Sequence, residues 1–135
     1  MQKPKLITGG VHTYERGKLE YINDFDLSKV KRFYKTTHFD TETIRAWQVH
    51  QKETKWFHCI KGSFEIRIAD LETKEIRKYI LTENKPTVLH IPKGNANGFR
   101  AMEENSTLMI FSDLSLEDAK GDNKRMEIGS FGEEW

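Results

Sequence analysis

Between Phe64 and Ala69 the chain alternates with a period of two. Phe64, Ile66 and Ile68 fall on one face of an extended strand, and Glu65 and Arg67 on the other. That pattern is half-buried sheet. Residues 77–81 alternate less cleanly, and short runs bounded by polar or Gly/Pro residues predict further strands at 30–36, 44–50, 55–60, 87–91 and 107–112. Asp70-Leu-Glu-Thr-Lys-Glu75 reads as a polar hairpin turn, and Lys61-Gly62 and Pro92-Lys-Gly94 punctuate others. Short strands at this spacing over 135 residues predict one all-β domain, a sandwich or small barrel spanning 1–135. Gly9 to Tyr21 reads as a turn feeding a first strand. Helix signals are confined to residues 114–126, with Ser115 as N-cap and Asp118 completing an imperfect capping box. The tail 130–135 is either loose or packed on a neighbour.

Charge narrows the function classes. Lys plus Arg is 22 and Asp plus Glu is 21, a formal net charge of +1. Such a balance supplies no general attraction to nucleic acid or to an acidic membrane. A single cysteine, Cys59, excludes an intrachain disulfide framework and a Cys-based zinc cluster. No apolar run approaches the roughly 20 residues of a membrane span. The N-terminal MQKPKLITGG has no apolar stretch resembling a signal peptide. The expectation is a cytoplasmic, single-domain protein.

Chemistry-bearing residues concentrate between Arg45 and Gly62. In a regular strand Gln48 and His50 share a face, with Ala46 leaving room beside them. Lys55, Phe57 and Cys59 line one face of the next strand, and Trp56, His58 and Ile60 the other. Two readings are open. If both polar faces point inward, Gln48, His50 and Lys55 meet in one cavity, where burial shifts an imidazole towards proton transfer near neutral pH. Otherwise His50 and Lys55 are edge residues at a loop. Trp47 and Trp56 face away from Gln48 and Lys55 and fill a sheet–sheet or subunit interface. His58 and His90 read as structural, His12 and His38 as loop residues, and Cys59 as a small buried hydrophobe.

A second stretch reads Pro92-Lys-Gly94-Asn-Ala-Asn97. With Gln48-Val-His50, Glu53 and Gly62 it resembles the two halves of the cupin signature. Metal cupins carry histidines where this chain has Gln48 and Asn97. One imidazole and two amides make a poor transition-metal site, so a metal-dependent dioxygenase is disfavoured. Within cupins the chain is similar to the RmlC-like nucleotide-sugar branch. Glu15-Arg-Gly17, Val30-Lys-Arg-Phe-Tyr34, Arg45-Ala-Trp-Gln-Val-His50 and Ile91-Pro-Lys-Gly-Asn-Ala-Asn-Gly-Phe99 carry the likeness, in that order. They resemble elements of the dTDP-4-dehydrorhamnose 3,5-epimerases and of the shorter dTDP-4-keto-6-deoxyhexose 3,4-ketoisomerases (WxcM-like, FdtA-like).

The resemblance implies a jelly-roll fold, a homodimer and a cofactor-independent isomerase of a dTDP-linked 4-keto-6-deoxyhexose in cell-envelope polysaccharide synthesis. It implies no metal. It assigns Arg16 and Arg45 to the diphosphate, where a guanidinium binds phosphate oxygens bidentately. His50 matches a candidate base, Tyr34 the ketoisomerase tyrosine, and Lys55 the epimerase lysine that holds the enolate oxygen. Gln48 and Asn97 are left as substrate-binding amides. The epimerases' late tyrosine has no counterpart in Phe111-Ser-Asp-Leu-Ser115, which puts 3,5-epimerase chemistry in doubt. The loss of that tyrosine and of the first histidine keeps a rival in play, a non-catalytic nucleotide-sugar-binding cupin that partners another enzyme.

Overall fold

The computed structural model describes residues 3–132 and 135. The chain runs through β1 (Lys5–Thr8), β2 (Gly10–Tyr14), β3 (Gly17–Tyr21), β4 (Arg32–His38), β5 (Ile44–His50), β6 (Lys55–Lys61), β7 (Ser63–Asp70) and β8 (Ile76–Thr82). It continues through β9 (Thr87–Ile91), β10 (Asn95–Ala101), β11 (Ser106–Ser112), α1 (Leu116–Ala119), a 3₁₀ turn at Lys120–Asp122, and β12 (Lys124–Arg125). Two five-stranded antiparallel sheets, ordered β1-β9-β6-β11-β4 and β12-β5-β10-β7-β8, pack face to face. This is the all-β cupin jelly roll. No helix among the described residues is long and apolar enough to cross a membrane.

The period-two runs form the core. Phe64, Ile66 and Ile68 of β7 meet Phe57 and Cys59 of β6 and Leu108 and Ile110 of β11 between the sheets, all buried. Burying a Leu, Ile or Phe side chain fully is worth about 1.5–3 kcal/mol. Cys59 behaves as expected: its thiol donates to the carbonyls of Lys61 and Gly62, and burial pushes its pKa up to about 12.

Four features go beyond or against the sequence reading. First, residues 95–101 are a central strand, β10, between β5 and β7, although Asn-Ala-Asn-Gly reads locally as turn. A Cβ at Gly98 would lie 2.6 Å from that of Ala46, so only glycine admits β5 this closely. Opposite Gly98 the register steps from Asn97↔Gln48 to Phe99↔Arg45, a β-bulge. The bulge returns Arg45 to the face of Gln48 and packs Ala46 against the Trp47 cluster. Second, the C-terminal helix is one turn. Ser115 caps it by accepting the Asp118 N–H at 3.1 Å, and the chain then tightens into the 3₁₀ turn that holds Gly121. It ends as β12 on the edge of β5, where Trp47 and Met126 exchange backbone hydrogen bonds of 3.0 and 3.1 Å.

Third, the tail covers the chain's own sheet. Phe131 and Trp135 pack on Trp47, at centroid distances of 4.9 and 6.5 Å, and the Arg67 guanidinium lies 4.1 Å over the Trp135 ring. Arg67 is therefore buried on the outer face of β7. Fourth, His12 lies in β2, and His38 ends β4, buried between Phe64 and Phe99. Residues 10–21 form not one strand but the β2–β3 hairpin, whose strands pair only with each other among the described residues.

Candidate active site

A cleft of about 390 Å³ opens beside the inner faces of β4, β5 and β6, walled on one side by residues 116–125. Arg32 and Tyr34 come from β4, Arg45, Gln48 and His50 from β5, and Lys55 from the start of β6. Leu116, Ala119, Lys120, Asn123 and Arg125 complete the wall. A deeper recess of about 60 Å³ shares Tyr34, Arg45, Gln48 and Lys55 and adds Asn97 and Phe99. The Pro92-Lys-Gly94 turn matters here. Gly94, at φ 89°, donates its N–H to the His50 carbonyl at 2.8 Å and so pins β10 to the end of β5.

One half of the cleft is internally paired. Lys55 Nζ donates to Tyr34 Oη at 3.0 Å, and the Arg32 guanidinium lies 5.1 Å over the Tyr34 ring. Glu53 is buried behind them; its Oε2 accepts from Arg32 at 3.1 Å and from the Ser112 hydroxyl. Its Oε1 lies 3.2 Å from His50 Nδ1, and Asp122 Oδ2 lies 3.7 Å away. The Glu53 contact is off hydrogen-bonding alignment and the Asp122 contact is too long, so neither ring nitrogen of the buried His50 has a hydrogen-bond partner among the described residues. Burial lowers the His50 pKa, the Lys55 cation lowers it further, and the carboxylates of Glu53 and Asp122 oppose both. The net direction is down, which leaves a neutral imidazole able to accept a proton at neutral pH.

The other half is unpaired. Among the described residues Arg45 and Arg125 make no salt bridge, and the Gln48 side chain makes no hydrogen bond. Asn97 is 1% exposed, and its Nδ2 is buried without an acceptor. Buried amides of this kind are normally satisfied, and this one lines the recess with its donor unused among the described residues. Arg32, Arg45, Lys55, Lys120 and Arg125 line the cleft against one carboxylate, Glu53. That balance suits an anion of more than one charge.

His50, Glu53 and Asp122 also offer ligand atoms within 4.8 Å of one another. The donor set does not fit a resident divalent cation. Glu53 is held by Arg32 and Ser112, and the Asp122 carboxylate accepts the backbone N–H groups of Gln51, Lys52 and Glu53 at 2.8–3.0 Å. Gln48 and Asn97 supply only neutral amides beyond them.

The structure brings His50, Tyr34, Lys55, Arg45 and Gln48 into one cleft and Asn97 into its recess. It does not bring Arg16 there: Arg16 sits at the exposed tip of the β2–β3 hairpin, 5.8 Å over Tyr14. Sequence reasoning missed Arg32, Asp122, Lys120 and Arg125. Arg32 carried a usable signal, since it shares the Tyr34 face of a period-two strand. Asp122 carried none, because its partners lie some seventy positions earlier.

The fold and this cleft define the RmlC-like class of cupins. The family described as FdtA, WxcM-like, C-terminal, matches residues 4–123, and the chain belongs to it. It is 32% identical over 89 residues to the spore coat polysaccharide biosynthesis protein SpsL of Bacillus subtilis. That match covers 62% of this chain and 59% of SpsL, so the chain aligns with under two thirds of its relative. Its fold matches a 3,4-ketoisomerase from Helicobacter canadensis with a TM-score of 0.77, at 18% identity, over 97% of this chain and 96% of the other. It matches ChmJ, a 3'-monoepimerase from Streptomyces bikiniensis in complex with dTDP-quinovose, with a TM-score of 0.83, at 12% identity, over 98% and 74%.

Proposed function

We propose that this chain is a cofactor-independent isomerase of a dTDP-linked 4-keto-6-deoxyhexose, of the 3,4-ketoisomerase kind. The observation that carries the reading is the burial of His50, which lowers its pKa, beside the Lys55–Tyr34 hydrogen bond in a cleft lined by five cations. Family membership and the ketoisomerase named among its structural neighbours support it.

The chemistry runs as proton transfers. The C4 ketone acidifies the C3–H bond. His50 takes that proton, the C–H electrons form a C3=C4 double bond, and the charge moves to O4. Lys55 holds O4 as a cation, where fixed charge stabilises the enolate most. Tyr34 Oη, hydrogen-bonded to Lys55, relays the O3 proton to O4, and His50, having exchanged the proton it took with solvent, delivers one to C4. The carbonyl now stands at C3, with atoms and charge balanced. Arg45 takes the diphosphate, and the amides of Gln48 and Asn97 face sugar oxygens.

In this reading the enzyme is a cytoplasmic homodimer serving polysaccharide synthesis, the process named for SpsL. Among the described residues the β2–β3 hairpin has no third strand, and Val11, Tyr14, Leu19 and Tyr21 on it are exposed. Docking on a second copy covers that edge and carries Arg16 towards a neighbouring cleft. The test is incubation of purified protein with dTDP-4-keto-6-deoxyglucose, followed by carbon NMR. A carbonyl resonance moving from C4 to C3 is the expected result. An unchanged substrate that nevertheless binds favours the non-catalytic cupin.

A further inference from the structure

Arg125 is the one cation of the cleft wall that lies both on β12 and in a second recess. It lines a pocket of about 150 Å³ with Arg45, Ala46 and Gln48, beside the main cleft. Its backbone is fixed there: Arg125 pairs with Gln48 in the β12–β5 ladder, and the next residue exchanges both hydrogen bonds with Trp47. Lys120 lies one turn earlier on the same segment and also faces the cleft; its one salt bridge is an exposed contact with Glu117 at 3.3 Å. Contacts of that kind are worth little and yield readily to a stronger anion.

The segment between these cations is bolted to the base. Asp122 accepts three successive backbone N–H groups, Gln51 to Glu53, directly after His50. The arm therefore cannot shift without disturbing the loop that carries His50 and Glu53. Arg32 and Lys55 already have partners, Glu53 and Tyr34. The cations left for a ligand are Arg45, Arg125 and Lys120.

We propose that Arg125 and Lys120, on the arm of residues 116–125, form the second half of the diphosphate grip, with Arg45 as the first. This rests on the nucleotide-sugar reading above. The arm and β5 thus close on the phosphates together, and Asp122 holds that closure in register with His50. Lys124 is the internal control. It neighbours Arg125 on β12, carries the same charge, and does not line the cleft.

The test is calorimetry of dTDP binding to the full chain and three variants. Arg125 is exposed, so Arg125→Ala is expected to fold, and a thermal melt checks this. Arg125→Ala weakens dTDP binding by about tenfold to a hundredfold, the effect of a lost charge-assisted contact. Lys120→Ala weakens it less, and Lys124→Ala leaves it unchanged. Wild-type affinity in Arg125→Ala overturns the proposal. So does an equal loss in Lys124→Ala, which reduces the effect to a general field. A wild-type chain that binds no dTDP fails differently: it removes the nucleotide-sugar reading itself.

Discussion

The two halves of the cleft are built on opposite rules. Around His50, polar groups contact one another: Lys55 with Tyr34, Arg32 and Ser112 with Glu53, and Asp122 with three amides. Around Arg45, charges and amides are left without partners among the described residues, down to the buried Nδ2 of Asn97. The paired half is preorganised, so its groups need not rearrange when charge develops on a substrate. The unpaired half carries unsatisfied capacity that a ligand completes. Substitutions in the first half should therefore cost rate or stability, and substitutions in the second should cost affinity.

Among the groups that assist His50, the largest effect is expected at Lys55. Lys55→Met keeps the length of the side chain and removes the cation. Turnover of a dTDP-linked 4-keto sugar should fall by about 10²–10⁴-fold, the range of a positioned acid–base or oxyanion group. Steady-state kinetics check this, and a change in KM alone would move Lys55 to the binding half.

Glu53→Ala comes next. It strips a buried carboxylate from Arg32 and Ser112, leaving the cation without its counter-ion and both groups with only the Leu114 carbonyl as acceptor. Breaking a buried pair costs about 3–5 kcal/mol. Arg32 keeps 24% of its side chain in solvent, which places the loss near the lower end. Urea denaturation measures it, and a midpoint shift within error would show that the pairing is incidental.

Two substitutions in the unpaired half should behave oppositely. Arg45→Ala should weaken dTDP binding by about tenfold or more with the melting temperature held. Asn97→Leu removes a buried donor that has no acceptor among the described residues, so stability should hold or rise while affinity for the sugar nucleotide falls. A melting temperature that drops in both would erase the distinction between the halves.

The smallest effect is on pH. Burial lowers the pKa of His50, and likewise of His38 and His90, below the unfolded value of 6.5. Between each folded value and 6.5 the unfolded chain binds more protons. Stability is therefore full above pH 6.5, falls as pH drops through that window, and levels off below it. Melting temperatures recorded from pH 7.5 downward check this. His50→Asn should flatten part of the slope.

What the sequence made legible followed the same division. β7 announced itself by alternation, and β5, β6, β9 and β11 by short apolar runs between polar or Gly/Pro stops, because each of them packs in the core. β10 did not. Its Asn and Gly residues are turn formers locally, and its strand state comes from β5 and β7 on either side. Gln48, His50 and Lys55 could be placed together by strand parity, whereas Arg45 needed a bulge that parity does not reveal. Asp122 and Arg125 sit where a helix signal ran past its true end at Ala119. Their place in the site depends on backbone amides and an edge strand distant in sequence, and a local pattern contains neither.

The central claim is that His50 moves a proton at carbon beside a ketone. Incubation with dTDP-4-keto-6-deoxyglucose in deuterated water, read by proton NMR and mass spectrometry, tests it directly. The wild-type chain should incorporate solvent deuterium at the carbon that gains a proton, and His50→Asn should incorporate none while still binding dTDP. No incorporation by the wild type contradicts the enzyme reading, and undiminished incorporation by His50→Asn contradicts His50 as the base.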